Sequence, residues 1–92
     1  MIRLNVLIRV KQEHRTQVIE ILNSLASFSR LEEGCYTYDL YENTIDELQL
    51  LLLESWENEV FLANHAKTKH YKELLPQVKA LVDEMKVEKF TY

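Results

Sequence analysis

Between Ser29 and Tyr41 the chain reads Ser-Arg-Leu-Glu-Glu-Gly-Cys-Tyr-Thr-Tyr-Asp-Leu-Tyr, and this stretch holds Gly34, the only glycine among 92 residues. It follows a segment of helical periodicity and precedes an alternating aromatic run. A lone glycine at such a junction predicts a left-handed helix C-cap that feeds straight into a strand. That strand would carry Tyr36, Tyr38 and Leu40 on one face and Cys35, Thr37, Asp39 and Tyr41 on the other.

Upstream, Val18, Ile21, Leu22, Leu25 and Phe28 recur at helical spacing from about Gln12 to Arg30, giving an amphipathic helix that needs a sheet to cover it. Before it, Ile2, Leu4, Val6, Ile8 and Val10 alternate with Arg3, Asn5, Leu7, Arg9 and Lys11, the period of a strand with one strongly buried face. Leu7 breaks the alternation by being apolar on the wet side.

Downstream, Asn43, Thr44 and Asp46 mark a turn. Leu48 to Trp56 then reads Leu-Gln-Leu-Leu-Leu-Leu-Glu-Ser-Trp, apolar on both faces, as a strand in the middle of a sheet would be. Asn58 is an N-cap for a short helix through about His65. Thr68 caps a second helical segment whose stripe is Tyr71, Leu74, Leu75, Val78, Leu81, Val82 and Met85. Pro76 should kink that helix or divide it near Leu75. Val87 to Tyr92 forms a last strand.

The order strand, helix, strand, strand, helix, strand predicts one α+β domain over residues 1–92. It would have the ferredoxin-like βαββαβ arrangement: an antiparallel sheet, both helices on one face, the first and third strands central. Leu7 and alternate members of Leu50 to Leu53 would then point to the uncovered face. An exposed apolar sheet face on so short a chain predicts a second copy as partner, a homodimer.

A formal charge of -4 and a pI near 5.3 argue against nucleic acid or an anionic membrane as partners, because neutralising phosphates needs clustered Lys and Arg. Lys67, Lys69 and Lys72, the densest basic group, read as a solvated helix face. Cys35 has no second cysteine to pair with, which fits a reducing compartment. The strand pattern beginning at Ile2 leaves no room for a signal peptide, and no apolar run reaches membrane-spanning length, so the expected location is the cytoplasm. There is no glycine-rich phosphate loop, no cysteine pair and no His-Glu-x-x-His helix, so no cofactor is expected. His65 and His70 are five residues apart, poor spacing for two ligands on one helical face, and no metal is expected either.

The residues suited to chemistry are Trp56, His65, His70 and Tyr71, at the end of the third strand and on the helix after it. Trp56 and Tyr71 would serve equally as core, and a lone histidine is often a satisfied core or surface residue. His65, however, shares the side of its helix with Phe61 and Leu62, where an imidazole titrates in an apolar setting.

Three segments resemble the antibiotic biosynthesis monooxygenase domain: Ser-Arg-x-Glu-x-Gly-Cys-x-x-Tyr-Asp-Leu at Ser29 to Leu40, Glu-x-Trp at Glu54 to Trp56, and Asn-His-x-x-Thr-x-His-Tyr at Asn64 to Tyr71. The resemblance spans nearly the whole chain. It implies a dimeric α/β barrel, two ferredoxin-like sheets packed face to face, with a pocket between helices and sheet in each subunit. That family includes cofactor-free quinol or anthrone monooxygenases, haem-degrading enzymes, and an enzyme acting on a phosphorylated signal. The haem-degrading members depend on an Asn, a Trp and a His. Here His65 takes their Trp position, their His position falls near Leu75, and Asn5 alternates onto the face opposite Ile8, so haem degradation is disfavoured.

The resemblance therefore implies a cofactor-independent monooxygenase that oxidises a small quinol- or anthrone-like substrate with molecular oxygen. His65 would be the base and Trp56 the second catalytic candidate, with Tyr38, Tyr36, Arg30, His70 and Tyr71 binding substrate. Arg30 would hold an anionic oxygen or simply complement a helix dipole. A non-oxygenase relative, a binding protein for a small signalling metabolite, and a purely structural dimer remain as alternatives, the last of which would fill the pocket with side chains.

Overall fold

The computed structural model describes residues Met1–Tyr92, and the elements follow in the order β1 (Ile2–Val10), a short 3-10 turn (Gln12–His14), α1 (Arg15–Ser29), β2 (Cys35–Glu42), β3 (Gln49–Trp56), α2 (Glu59–His65), α3 (Lys69–Leu81) and β4 (Val82–Thr91). The four strands form one sheet in the order β2-β3-β1-β4. All three pairings are antiparallel. This is the ferredoxin-like α+β arrangement, with β1 and β3 central as their apolar content predicts.

One sheet face is core. Val6, Ile8 and Val10 of β1 join Leu50, Leu52 and Trp56 of β3, Val18, Leu22, Leu25 and Ala26 of α1, and Val78 of α3 in one buried cluster. The register sets Val6 opposite Leu52 and Ile8 opposite Leu50, so the pleat sends both rows toward the helices. The same register sets Leu7 opposite Leu51 and Asn5 opposite Leu53 on the face that no helix covers. The two ends of the chain meet across β1 and β4: the Met1 ammonium donates to Tyr92 O at 2.9 Å, and Tyr92 N–H donates to Met1 O at 3.0 Å.

Three expectations are corrected. Gly34 is left-handed, at φ 82°, but it is not the helix cap. The helix ends at Ser29 with Arg30 as its right-handed C-cap, and Gly34 closes the turn that follows, just before β2. What requires glycine is proximity as well as φ: a Cβ there would stand 2.2 Å from Cγ of Phe61 on α2.

Helix α3 stops at Leu81 and does not run on to Met85. Val82 pairs with Val10 and Met85 with Ile8, so β4 covers β1 along nearly its whole length and satisfies backbone groups that a longer helix would leave open. The apolar spacing of Leu81, Val82 and Met85 fits either element, and the sheet prevails. Pro76 lies inside α3 without dividing it. Its missing N–H costs the helix one bond, to the carbonyl of Lys72, which is an exposed residue.

Candidate functional site

Between the helix-facing side of the sheet and the helices lies a cavity of about 320 Å³. Leu4, Val6, Ile8 and Leu52 form its floor, and Leu62, Ala63 and Ala66 of α2 and its C-cap, with Tyr71 and Leu75 of α3, form its roof. Thirteen of its sixteen lining residues are hydrophobic; the others are Glu54, Glu59 and His65. A structural dimer would have filled this space, so that alternative is set aside.

His65 is placed by two caps. Asn58 accepts from the N–H groups of Val60 and Phe61 and starts α2, which delivers His65 as its last residue. Thr68 Oγ1 donates to the His65 carbonyl at 2.7 Å and accepts from Tyr71 N–H, tying the end of α2 to the start of α3. The imidazole is 3% exposed. Its ring packs against Trp56 at 4.6 Å, Tyr71 at 5.0 Å and Tyr38 at 5.5 Å between centroids.

Both ring nitrogens face carboxyl groups. Nδ1 lies 2.6 Å from Glu32 Oε2, and Nε2 lies 3.9 Å from Glu54 Oε1. Glu32 also accepts from His70 Nε2 at 2.7 Å. With Glu32 ionised, the His65 ring N–H is held at Nδ1 and the lone pair of Nε2 is left on the side of Glu54. Burial holds His65 below the usual imidazole range, against the pull of Glu32, so the ring is neutral near pH 7.

Glu54 is the largest departure from the sequence expectations. It sits on the core face of a central strand, 5% exposed, and burial pushes its carboxyl up to about 7. Trp56 Nε1–H donates to it at 3.1 Å and Glu32 adds a like charge. Alternation along β3 gives the signal: Leu50, Leu52, Glu54 and Trp56 share one face, so a charged residue stands in a core row. Glu32 carried no such mark, being one of two glutamates in a turn.

The other candidates divide. Tyr38 and Tyr71 line the cavity with His65. Burial and the neighbouring Glu54 push the Tyr38 phenol well above its usual range, so it stays a hydroxyl. Trp56 is wholly buried, packs against the His65 ring, and is not among the residues of the cavity wall.

Tyr36 is 60% exposed and points away, donating to Glu57 Oε1 at 3.3 Å. The register of β2 against β3 shifts between Cys35 and Thr37, which breaks the alternation that put Tyr36 beside Tyr38. Arg30 pairs with Asp39 at 3.2 Å on the surface, outside the cavity. His70 is also outside the cavity wall; its ring stacks on Phe28 at 5.6 Å, lies 6.1 Å from the His65 ring and shares Glu32 with it. The spacing argument against a shared ligand site fails, because His65 and His70 belong to different helices that converge on Glu32.

Comparison with known proteins gives a consistent answer. The family model for antibiotic biosynthesis monooxygenase matches residues 1–77. The Bacillus subtilis (strain 168) protein named "Putative monooxygenase YcnE" is 35% identical over 82 residues, 89% of this chain and 86% of YcnE. A crystal structure from Bacteroides thetaiotaomicron VPI-5482, of a conserved protein of unknown function described as a possible oxidoreductase, superposes with a TM-score of 0.95 at 38% identity, covering 99% of this chain and 96% of that one. Rv0793 of Mycobacterium tuberculosis superposes with a TM-score of 0.93 at 25% identity, over 99% and 93% of the two chains.

Proposed function

This chain belongs to the antibiotic biosynthesis monooxygenase family, and we propose that within it the protein oxidises a small, neutral aromatic molecule of the quinol or anthrone class with molecular oxygen and no bound cofactor. The observation that carries this reading is the neutral His65, its N–H held by Glu32 and its free Nε2 beside a mostly apolar cavity. A buried neutral imidazole is suited to take a proton from a phenol or an activated ring carbon.

The resulting anion is electron-rich and gives its electrons to oxygen. For an anthrone, the ring CH₂ becomes C=O and the second oxygen atom leaves as water, so the substrate supplies all four electrons. The apolar wall keeps water from the anion, while the hydroxyls of Tyr38 and Tyr71 and the protonated form of Glu54 are available as hydrogen-bond donors to its oxygen. Among the cavity residues there is no Lys or Arg to neutralise a phosphate, which disfavours a phosphorylated signalling metabolite.

The test is oxygen uptake with a panel of quinols and anthrones, comparing the protein with His65→Ala. Removal of the base should lower turnover about 100-fold or more. Oxygen uptake with no member of the panel, or near-normal turnover by the variant, would overturn the proposal.

A further inference from the structure

We propose that Glu32, His65 and His70 form a site for a divalent transition-metal cation of the zinc class, held by Nδ1 of His65, Nε2 of His70 and the Glu32 carboxylate. The three ligand atoms lie within 4.8 Å of one another and come from three separate pieces of backbone: the turn before β2, the end of α2 and the first turn of α3. Two imidazoles and one carboxylate are a recognised ligand set for zinc, which leaves a fourth position open to water.

The directions are right as well as the residue types. Both imidazole nitrogens point at the same oxygen, at 2.6 and 2.7 Å, as ligands of a single centre would. Placing a cation about 2.0–2.1 Å from each requires the ligand atoms to separate to roughly 3.2–3.4 Å. Glu32, in a turn and not in a helix, is the member free to withdraw by that distance.

Charge favours a cation too. The charged-group partners of Glu32 are His65 and His70 alone, and Glu54 adds a second buried carboxyl on the far side of His65 with no Lys or Arg against either. That second carboxyl stands where metal-bound histidines usually hand their other N–H to a carboxylate, although at 3.9 Å it would close in as the ring N–H moves to Nε2. Outside the main cavity, His70 lines an opening with Phe28, Lys69, Glu73 and Leu74. Lys69 is turned toward Glu73 there, at 3.9 Å.

One consequence rests on the proposed function: a cation on Nδ1 moves the ring proton to Nε2, so His65 donates to Glu54 and no longer accepts from substrate. Binding of the cation does not depend on that reading, and it is measured without turnover.

The experiment is calorimetric titration of the untagged chain with Zn²⁺, paralleled by the visible absorption of Co²⁺. One equivalent per chain is expected, and His70→Ala and Glu32→Gln should each weaken it by roughly 10- to 100-fold. His14→Ala should leave it unchanged, since His14 precedes the opposite end of α1. His70 is partly exposed, so its replacement should keep the fold, which thermal melting would verify. Absence of stoichiometric binding at about 100 µM metal, or binding that survives in both variants, would overturn the proposal.

Discussion

A carboxyl group in a core row costs stability when it ionises, and Glu54 is such a group. With an ordinary value of 4.5 and a buried value of about 7, its ionisation in the folded protein costs about 3 kcal/mol. Below pH 4.5 the group is protonated in folded and unfolded chains alike and costs nothing. Between 4.5 and 7 the unfolded chain ionises first, so stability falls as pH rises through this window. Glu54→Gln keeps an oxygen for Trp56 Nε1–H and cannot ionise. Denaturant unfolding should therefore show the variant gaining on the parent from pH 4.5 to above 7, by about 3 kcal/mol at most. A difference that is flat with pH would mean that Glu54 is not held protonated. His65 acts in the opposite sense: its lowered value removes stability as pH falls below 6.5, so the two groups favour a neutral pair in the pocket. Sequence alone points to His65 through its apolar neighbours and marks Glu54 as a charge in a core row of β3, whereas Glu32 is not evident, because its significance arises from contacts with residues far along the chain.

At the scale of elements, the first three strands and the helix caps at Asn58 and Thr68 are legible because period and capping act over a few residues. Ile2–Val10 and Asn58 are found this way. The β2 bulge and the end of α3 are not, since both are decided by pairing with another strand. Gly34 lies between these cases: its backbone need is readable, whereas its contact with Phe61 is not. That contact makes it a positional lock for α2, the helix that carries His65. In Gly34→Ala the left-handed backbone costs about 1–2 kcal/mol and the methyl group meets the Phe61 ring and its Cβ, so α2 must shift. Thermal melting should show a loss well beyond the backbone cost alone. The His65 ring resonances should move with it. A variant as stable as the parent would show that α2 yields easily and that glycine is not required.

For the whole molecule, the uncovered sheet face is the main open surface. Leu7, Leu51 and Leu53 lie across its central strands, half-buried in a single chain. On the same face Asn5 Oδ1 and Thr37 Oγ1 are buried within the chain with no hydrogen-bond partner. A homodimer through this face is the expected assembly, and light scattering at micromolar concentration should find it; a monomer would refute it. Leu51→Asp should dissociate the dimer, because an unpaired charge in such an interface costs several kcal/mol. Circular dichroism then separates dissociation from unfolding. No helix is long and apolar enough to cross a membrane. The joined ends of the chain bear on how such experiments are built. Ile2 pairs with both Trp56 and Thr91, so Met1 and Tyr92 leave the sheet at the end where Trp56 backs His65. Any fusion or purification tag, at either terminus, emerges from that one corner, and a polyhistidine tag there would bring competing imidazoles to the edge of the Glu32, His65 and His70 cluster.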